Sequence, residues 1–161
     1  ISSLVPFAKK LQLNVSGKDE LLSLNYVRSG NENLNLAYEE KKEAESKQRM
    51  TLVGPHRDDL ELSVNSLLAS KFASEGQQRT IALSLKIAQS HVLRECKGSN
   101  PILLIDDIFG ELDSSRRNRL LSSFPEGAQK IITTTSLEWA SDGCLEGSRC
   151  YSLSEGLLDE L

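Results

Sequence analysis

Two carboxylates side by side, Asp106 and Asp107, close the apolar run Ile102-Leu103-Leu104-Ile105. A continuous apolar run of this kind suits a parallel strand buried on both faces. Open α/β sheets bind ligands at the carboxyl ends of their strands. Adjacent acids in such a place are costly unless a cation or solvent compensates them. Magnesium would do so, because it accepts carboxylate and phosphate oxygens together. The chemistry expected is then nucleotide hydrolysis. Asp106 would orient Mg2+ and its waters, and Asp107 would orient or deprotonate the attacking water. The plainer reading is an acidic turn after a core strand, and the pair alone leaves both open.

A second place that could do chemistry is Ala73-Ser74-Glu75-Gly76-Gln77-Gln78-Arg79, at the opening of a long helix. A Ser, a Gly and free backbone N–H groups at a helix start suit an anion. Gly76 would let the backbone approach a phosphate closely. Ser74 and Glu75 could equally be a plain helix start. Gly110-Glu111-Leu112-Asp113 follows the acid pair, and Asp113 has the type of an N-cap. Thr133-Thr134-Thr135 ends the next apolar segment. Its hydroxyls would emerge beside Asp106 and Asp107 if the two strands are parallel neighbours. Arg116, Arg117 and Arg119 form a small basic cluster whose bland reading is a solvated helix face.

The elements that must position these residues can be read from periodicity. A helix is expected over 77–94, with Ile81, Leu85, Ala88 and Val92 on one face. Strands are expected over 102–105 and 129–134, joined by a helix over 114–123, with a helix or turn near 137–139. Strand, helix, strand in this rhythm implies a parallel sheet. Upstream, 4–11 reads as the end of a helix, 21–27 as a strand and 31–35 as an asparagine-rich loop. Residues 38–49 read as a solvated helix. Leu60 to Val64 alternates as a half-buried strand, with a second strand at 67–69 and a loop over 71–76. Residues 150–161 are expected to add one edge strand.

Composition bounds the rest. The 161 residues are enough for one domain with a core, and 39% hydrophobic with 26% charged residues is ordinary for a globular chain. A net charge of −4 argues against a strongly basic nucleic-acid module, though not against a local basic patch. No apolar run approaches the roughly 20 residues of a membrane helix. The start, Ile1-Ser2-Ser3-Leu4-Val5-Pro6-Phe7, does not read as a signal peptide. Cys96, Cys144 and Cys150 are irregularly spaced and are read as reduced thiols of a cytoplasmic protein.

The order of the motifs says more than any one of them. A Ser-x-Gly-Gln loop, a long helix, a strand ending in two acids, a Leu-Asp turn and a polar-ended strand succeed one another. That order resembles the carboxyl-terminal half of an ABC ATPase head. More closely, Thr51-Leu52-Val53-Gly54-Pro55-His56-Arg57-Asp58-Asp59-Leu60, Ser74 to Thr80, Leu103 to Asp107, Glu111-Leu112-Asp113 and Ile132 to Thr135 together resemble the RecF family. These are DNA replication and repair ATPases related to Rad50 and SMC heads. The resemblance is strong over about 50–136 and loose before it, and Gly-Pro-His-Arg-Asp-Asp is its most specific piece.

The resemblance implies an α/β fold: half of an ABC-ATPase head, with a largely parallel sheet flanked by helices and an extra helical and strand segment at the amino terminus. Residues 1–50 would belong to a helical arm and 51–161 to the head. It implies that Ser74, Gly76 and Gln77 are the signature that touches ATP in trans. Asp106 would hold the metal at Walker B, Asp107 would be the catalytic acid, Asp113 the D-loop residue and Thr135 the switch. Thr135 stands where many such ATPases have His, Asp107 where Glu is usual, and Glu75 where many have Gly. The first two departures suit slow hydrolysis. ATP and Mg2+ are the implied cofactors. The implied partners are duplex DNA at single-strand gap junctions, a second copy in an ATP-bound homodimer, and mediator proteins of the RecF pathway that help load RecA. No membrane is implied.

A complete head also needs Gly-x-x-x-x-Gly-Lys-Ser/Thr. Gly17-Lys18 is followed by Asp19, and position 12 is Gln, so that loop is not present here. The expectation is a carboxyl-terminal fragment with little or no ATPase activity by itself. The alternatives are an SMC, Rad50 or RecN-like head fragment, an ABC transporter subunit, and a non-catalytic scaffold with the same fold. Residues 1–50 show no sustained heptads, which disfavours the first. The Gly54 to Leu60 run is not expected of the second, and intact Ser74, Asp106 and Asp107 argue against the third.

Overall fold

Helix α1 (Leu4–Ser16) places Ala8, Leu11, Gln12 and Val15 on one stripe, and all four are buried. That stripe lies against α4 (Glu75–Lys97), the longest helix among the described residues. The structure, a computed structural model, describes residues 1–17, 19–140 and 147–161. Lys18 and Cys144, both considered above, lie outside the described residues. The buried residues of α4 are Thr80, Ile81, Ser84, Ile87, Ala88 and Ser90, whereas Leu85 and Val92 are only half-buried. The buried face is thus rotated from the one periodicity suggested. Ala8, Gln12 and Val15 of α1 and Ser84 and Ala88 of α4 are completely buried.

β1 (Leu22–Val27) pairs antiparallel with β2 (Asp59–Val64), which turns through Asn65 and Ser66 into β3 (Leu67–Leu68). Between β1 and β2 stands α2 (Leu34–Gln48). It starts earlier than expected because Asn33 caps it, accepting hydrogen bonds from the Asn35 and Leu36 N–H groups. A one-turn helix, α3 (Ala69–Phe72), occupies part of the expected loop before α4.

β4 (Leu103–Asp106) and β5 (Lys130–Thr133) form a parallel pair, linked through α5 (Ser114–Ser122). The fold is therefore mixed α/β, with the parallel sheet at the acids and the antiparallel sheet around β2. The β4 run is not buried on both faces. Ile105 is 7% exposed, but Leu104 is 76% exposed and Ile131 of β5 50%. Among the described residues only one face of the pair joins the core, through Ile105 with Leu103 and Ile132 packed against it. Residues 151–160 make a separate hairpin, β6 (Tyr151–Ser154) with β7 (Leu157–Glu160), rather than one edge strand. Glu155 and Gly156 both have positive φ, the turn that suits a two-residue hairpin. Among the described residues no helix is long and apolar enough to cross a membrane. Cys96 and Cys150 are free thiols.

Candidate nucleotide site

The acids sit where the parallel pair ends. Asp106 is in register with Thr133, and the Thr133 hydroxyl donates to the Asp106 carboxylate. The next residue, Asp107, donates its backbone N–H to the Thr133 carbonyl at 3.1 Å. Asp107 then leaves the strand with φ 46°, a left-handed conformation that Asp tolerates better than most residues. Its carboxylate lies 4.0 Å from where a side chain on Gly110 would begin. Both acids are exposed, so neither is a buried charge needing a protein cation. Thr135, the expected switch, follows β5 by two residues and is exposed on the same carboxyl edge. It is Thr133, not singled out within its triplet, whose hydroxyl meets Asp106. Thr134 instead accepts from the Trp139 indole N–H at 3.0 Å.

The second group surrounds the start of α4. Ser74 is the N-cap: its Oγ accepts from the Gln77 N–H at 3.3 Å, and its own N–H donates to Gln77 Oε1 at 2.9 Å. This is a closed capping box, which satisfies helix donors that would otherwise be orphaned. The helix-start reading of Ser74 therefore holds as geometry, while the residue stays exposed. Gly76 faces the next motif, since a side chain there would begin 3.4 Å from the Arg116 guanidinium. A shallow cleft of about 210 Å³ is lined by Glu75, Gly76, Arg79, Leu112 and Arg116. The signature-like loop and the Leu-Asp turn thus share one surface.

Asp113 caps α5, its Oδ1 accepting from the Arg116 N–H at 2.9 Å. That hydrogen bond, with the Arg116 and Arg119 charges behind it, holds the Asp113 carboxyl below the usual aspartate range. The three arginines are not a solvated face. Arg117 donates to the carbonyls of Leu112 at 2.8 Å and of Phe109 and Trp139 at 3.2 Å. Its guanidinium lies 5.7 Å from the Trp139 ring centroid, and that ring stacks on buried Phe109. Arg119 donates to the Val15 carbonyl at the end of α1. The turn carrying Asp113 is therefore fastened from below.

Glu20 and Gln12, which carry no functional signal in the sequence, complete the arrangement. Glu20, 6% exposed, accepts from Gln77 Nε2 at 3.1 Å and from Gln12 Nε2 at 2.9 Å.

With the acids, the capped Ser-Glu-Gly-Gln loop and the Leu-Asp turn in place, the chain can be set beside known proteins. The DNA replication and repair protein RecF of Gloeothece citriformis (strain PCC 7424) is 38% identical over 166 residues, covering 97% of this chain and 43% of that protein. That of Shouchella clausii (strain KSM-K16) is 37% identical over 172 residues, covering 100% and 46%. The chain is a homologue of RecF. Solved structures of the recombination mediator protein RecF in the RecFOR pathway agree with it. One with ATPrS superposes at a TM-score of 0.76 and 30% identity, covering 99% of this chain and 44% of that one. One with ATP superposes at 0.70 and 32% identity, with the same coverage. No protein-family model matches the chain. The chain spans less than half the length of these RecF relatives, and it fits their carboxyl-terminal portion.

Proposed function

We propose that this chain is the signature and Walker B portion of a RecF-type DNA repair ATPase, and that the protein containing it closes as a dimer around ATP on DNA. The observation that carries this reading is the in-register parallel pair. It sets Asp106 against Thr133 at one carboxyl edge, with Asp107 beside them. Two exposed carboxylates and a hydroxyl are a donor set suited to Mg2+, which keeps several waters and needs only one or two carboxylates beside phosphate. Among the described residues no group of three or more His, Cys, Asp or Glu gathers into an all-protein metal site. The ion would be held jointly with a nucleotide, and it would supply charge neutralisation on the phosphates. On this reading Asp106 holds the ion, Asp107 orients the attacking water and Thr135 senses the γ-phosphate.

Ser74, Gly76 and Gln77 act on the ATP of the partner copy, and Asp113 lies in the same joint. The shared surface of Gly76 and Arg116 supports placing the two loops in one interface. The chain shows no Gly-x-x-x-x-Gly-Lys-Ser/Thr loop to cradle the β- and γ-phosphates, so it works with the remainder of a RecF-length protein. Of residues 1–50, α2 is the element we assign to an arm, since only Ala37 of it is buried. The dimer would act in the cytoplasm on duplex DNA near single-strand gaps, with mediator proteins that help load RecA.

The test is Ser74→Arg in the full-length protein. ATP binding should persist, because the variant leaves the phosphate-cradling loop untouched. Dimerisation on ATP should be lost, and hydrolysis with it. Sedimentation with and without ATP, paired with nucleotide binding, separates the steps. Normal ATP-dependent dimerisation would reduce Ser74 to a helix cap.

A further inference from the structure

We infer that Glu20 is a positioning residue for the signature loop, holding the Gln77 side chain and through it Ser74 in the shape that meets a partner's ATP. The inference rests on the role proposed above for Ser74. Glu20 lies just before β1, 57 residues from Gln77, and is 6% exposed. One carboxylate oxygen accepts from Gln77 Nε2 at 3.1 Å, the other from the fully buried Gln12 of α1 at 2.9 Å.

The consequence is a choice of amide orientation. A glutamine amide has a donor end and an acceptor end that differ little in shape. Glu20 offers only acceptors, so it commits the nitrogen of Gln77. The oxygen is then left facing the Ser74 N–H at 2.9 Å. The opposite orientation would set the amide oxygen against the carboxylate and the NH2 against the Ser74 N–H, both repulsive. A capping box closes with local residues alone and needs no distant anchor. A carboxylate taken out of water is costly unless hydrogen bonds replace its hydration, and here two glutamine amides do so. Gln12 Oε1 is buried with no hydrogen-bond partner among the described residues. What the carboxylate adds is a single conformation at the exposed tip of α4. The end of α1 is also tied to α5 through Arg119 and Val15. Glu20 therefore couples the signature loop to the same helix that braces the Asp113 turn.

The experiment is Glu20→Gln in the full-length protein. The new amide still accepts from Gln12 but no longer dictates how Gln77 points. ATP binding should stay as it was. ATP-dependent dimerisation, read by sedimentation equilibrium, should weaken by about five-fold or more. Amide hydrogen exchange over residues 74–78 should quicken. A Glu20→Gln protein that dimerises as tightly as the unsubstituted one overturns the inference. So does a Glu20→Gln protein whose hydrogen exchange over residues 74–78 is unchanged. Ser74→Arg, run in parallel, judges the underlying reading separately: if it abolishes dimerisation while Glu20→Gln does not, only the role of Glu20 falls.

Discussion

The Asp113 carboxylate has one job in the fold and, on the function proposed above, a second in the assembled protein. It caps α5 and it stands in the turn assigned to the dimer joint. Its ion pair with Arg116 is 3.6 Å long and its side chain is 58% exposed, so the pair adds little and the cap carries the stability. Asp113→Ala should cost about 1 kcal/mol, the usual loss for a missing N-cap. The carboxyl is held below the ordinary aspartate range by the Arg116 backbone N–H. A depressed folded pKa gives stability that is present at neutral pH and lost as pH falls through it. Asn caps about as well as Asp. Asp113→Asn should therefore match the unsubstituted chain near neutral pH and lose less stability on acidification. Urea midpoints at about pH 7 and about pH 3, on either side of the aspartate range, check both statements. Thr133 carries a second expectation at this scale. Its hydroxyl donates to Asp106. Hydrogen-bond partners of metal-binding carboxylates are commonly worth about ten-fold or more in metal affinity or activity. Thr133→Val should raise the magnesium requirement of ATP hydrolysis in the full-length protein by that order. Thr135→Val should slow hydrolysis without moving the magnesium requirement. A titration of rate against magnesium distinguishes the two.

The Gly-Pro-His-Arg-Asp-Asp segment makes a short 3-10 turn at Pro55–Arg57 and runs into β2, and side chains from elsewhere in the chain fix it. Ser29 bonds Gly54 in both directions, at 3.1 and 3.2 Å, and Asp58 accepts from the Ser29 N–H at 2.8 Å. Glu45 of α2 accepts from Leu52, and Thr51 bonds the His56 ring. Gly54 itself has φ 127°, and a side chain there would begin 2.9 Å from His56 and 3.1 Å from the Tyr38 hydroxyl. Gly54→Ala should cost about 1–3 kcal/mol, the scale of a forced backbone conformation. A matching drop in urea midpoint checks it, and a neutral result would mean the loop simply rearranges. The same segment marks what was legible in the sequence. Its motif was visible, but the residues that hold it, Ser29 and Glu45, come from elsewhere in the chain. The long helix and the Asp-ended strand were legible because periodicity and an abrupt polar stop are local signals. Asn33 reads as loop although it caps α2, since asparagine serves both roles. Glu20 gives no local sign, because its partners lie on two other elements. The hairpin at 151–160 reads as a single strand from sequence, and its two halves pair only with each other among the described strands.

At the scale of the whole molecule, the open face of the parallel pair is the feature that a lone strand could not announce. Ile105 faces the packed side at 7% exposure, while Ile102, Leu104 and Ile131 are 62%, 76% and 50% exposed. Alternating burial along β4 shows a sheet with cover on one side only. An apolar run can be called buried on both faces only if the chain that covers the second face is counted. The reading that this chain works within a RecF-length head supplies that cover. It makes the face an internal packing surface between the two portions of the head. Burying one such leucine fully is worth about 1.5–3 kcal/mol. Leu104→Lys should then have opposite effects in two settings. In the isolated chain the lysine is solvated at no loss of packing, so stability should hardly change and self-association at high concentration should fall. In the full-length protein it should cost at least about 2 kcal/mol, because the charge is placed in a buried layer. Light scattering of the isolated chain and chemical unfolding of the full-length protein measure the two arms. If the full-length protein tolerates Leu104→Lys as readily as the isolated chain does, the open face is solvent surface, and β4 is not the inner strand of a larger sheet.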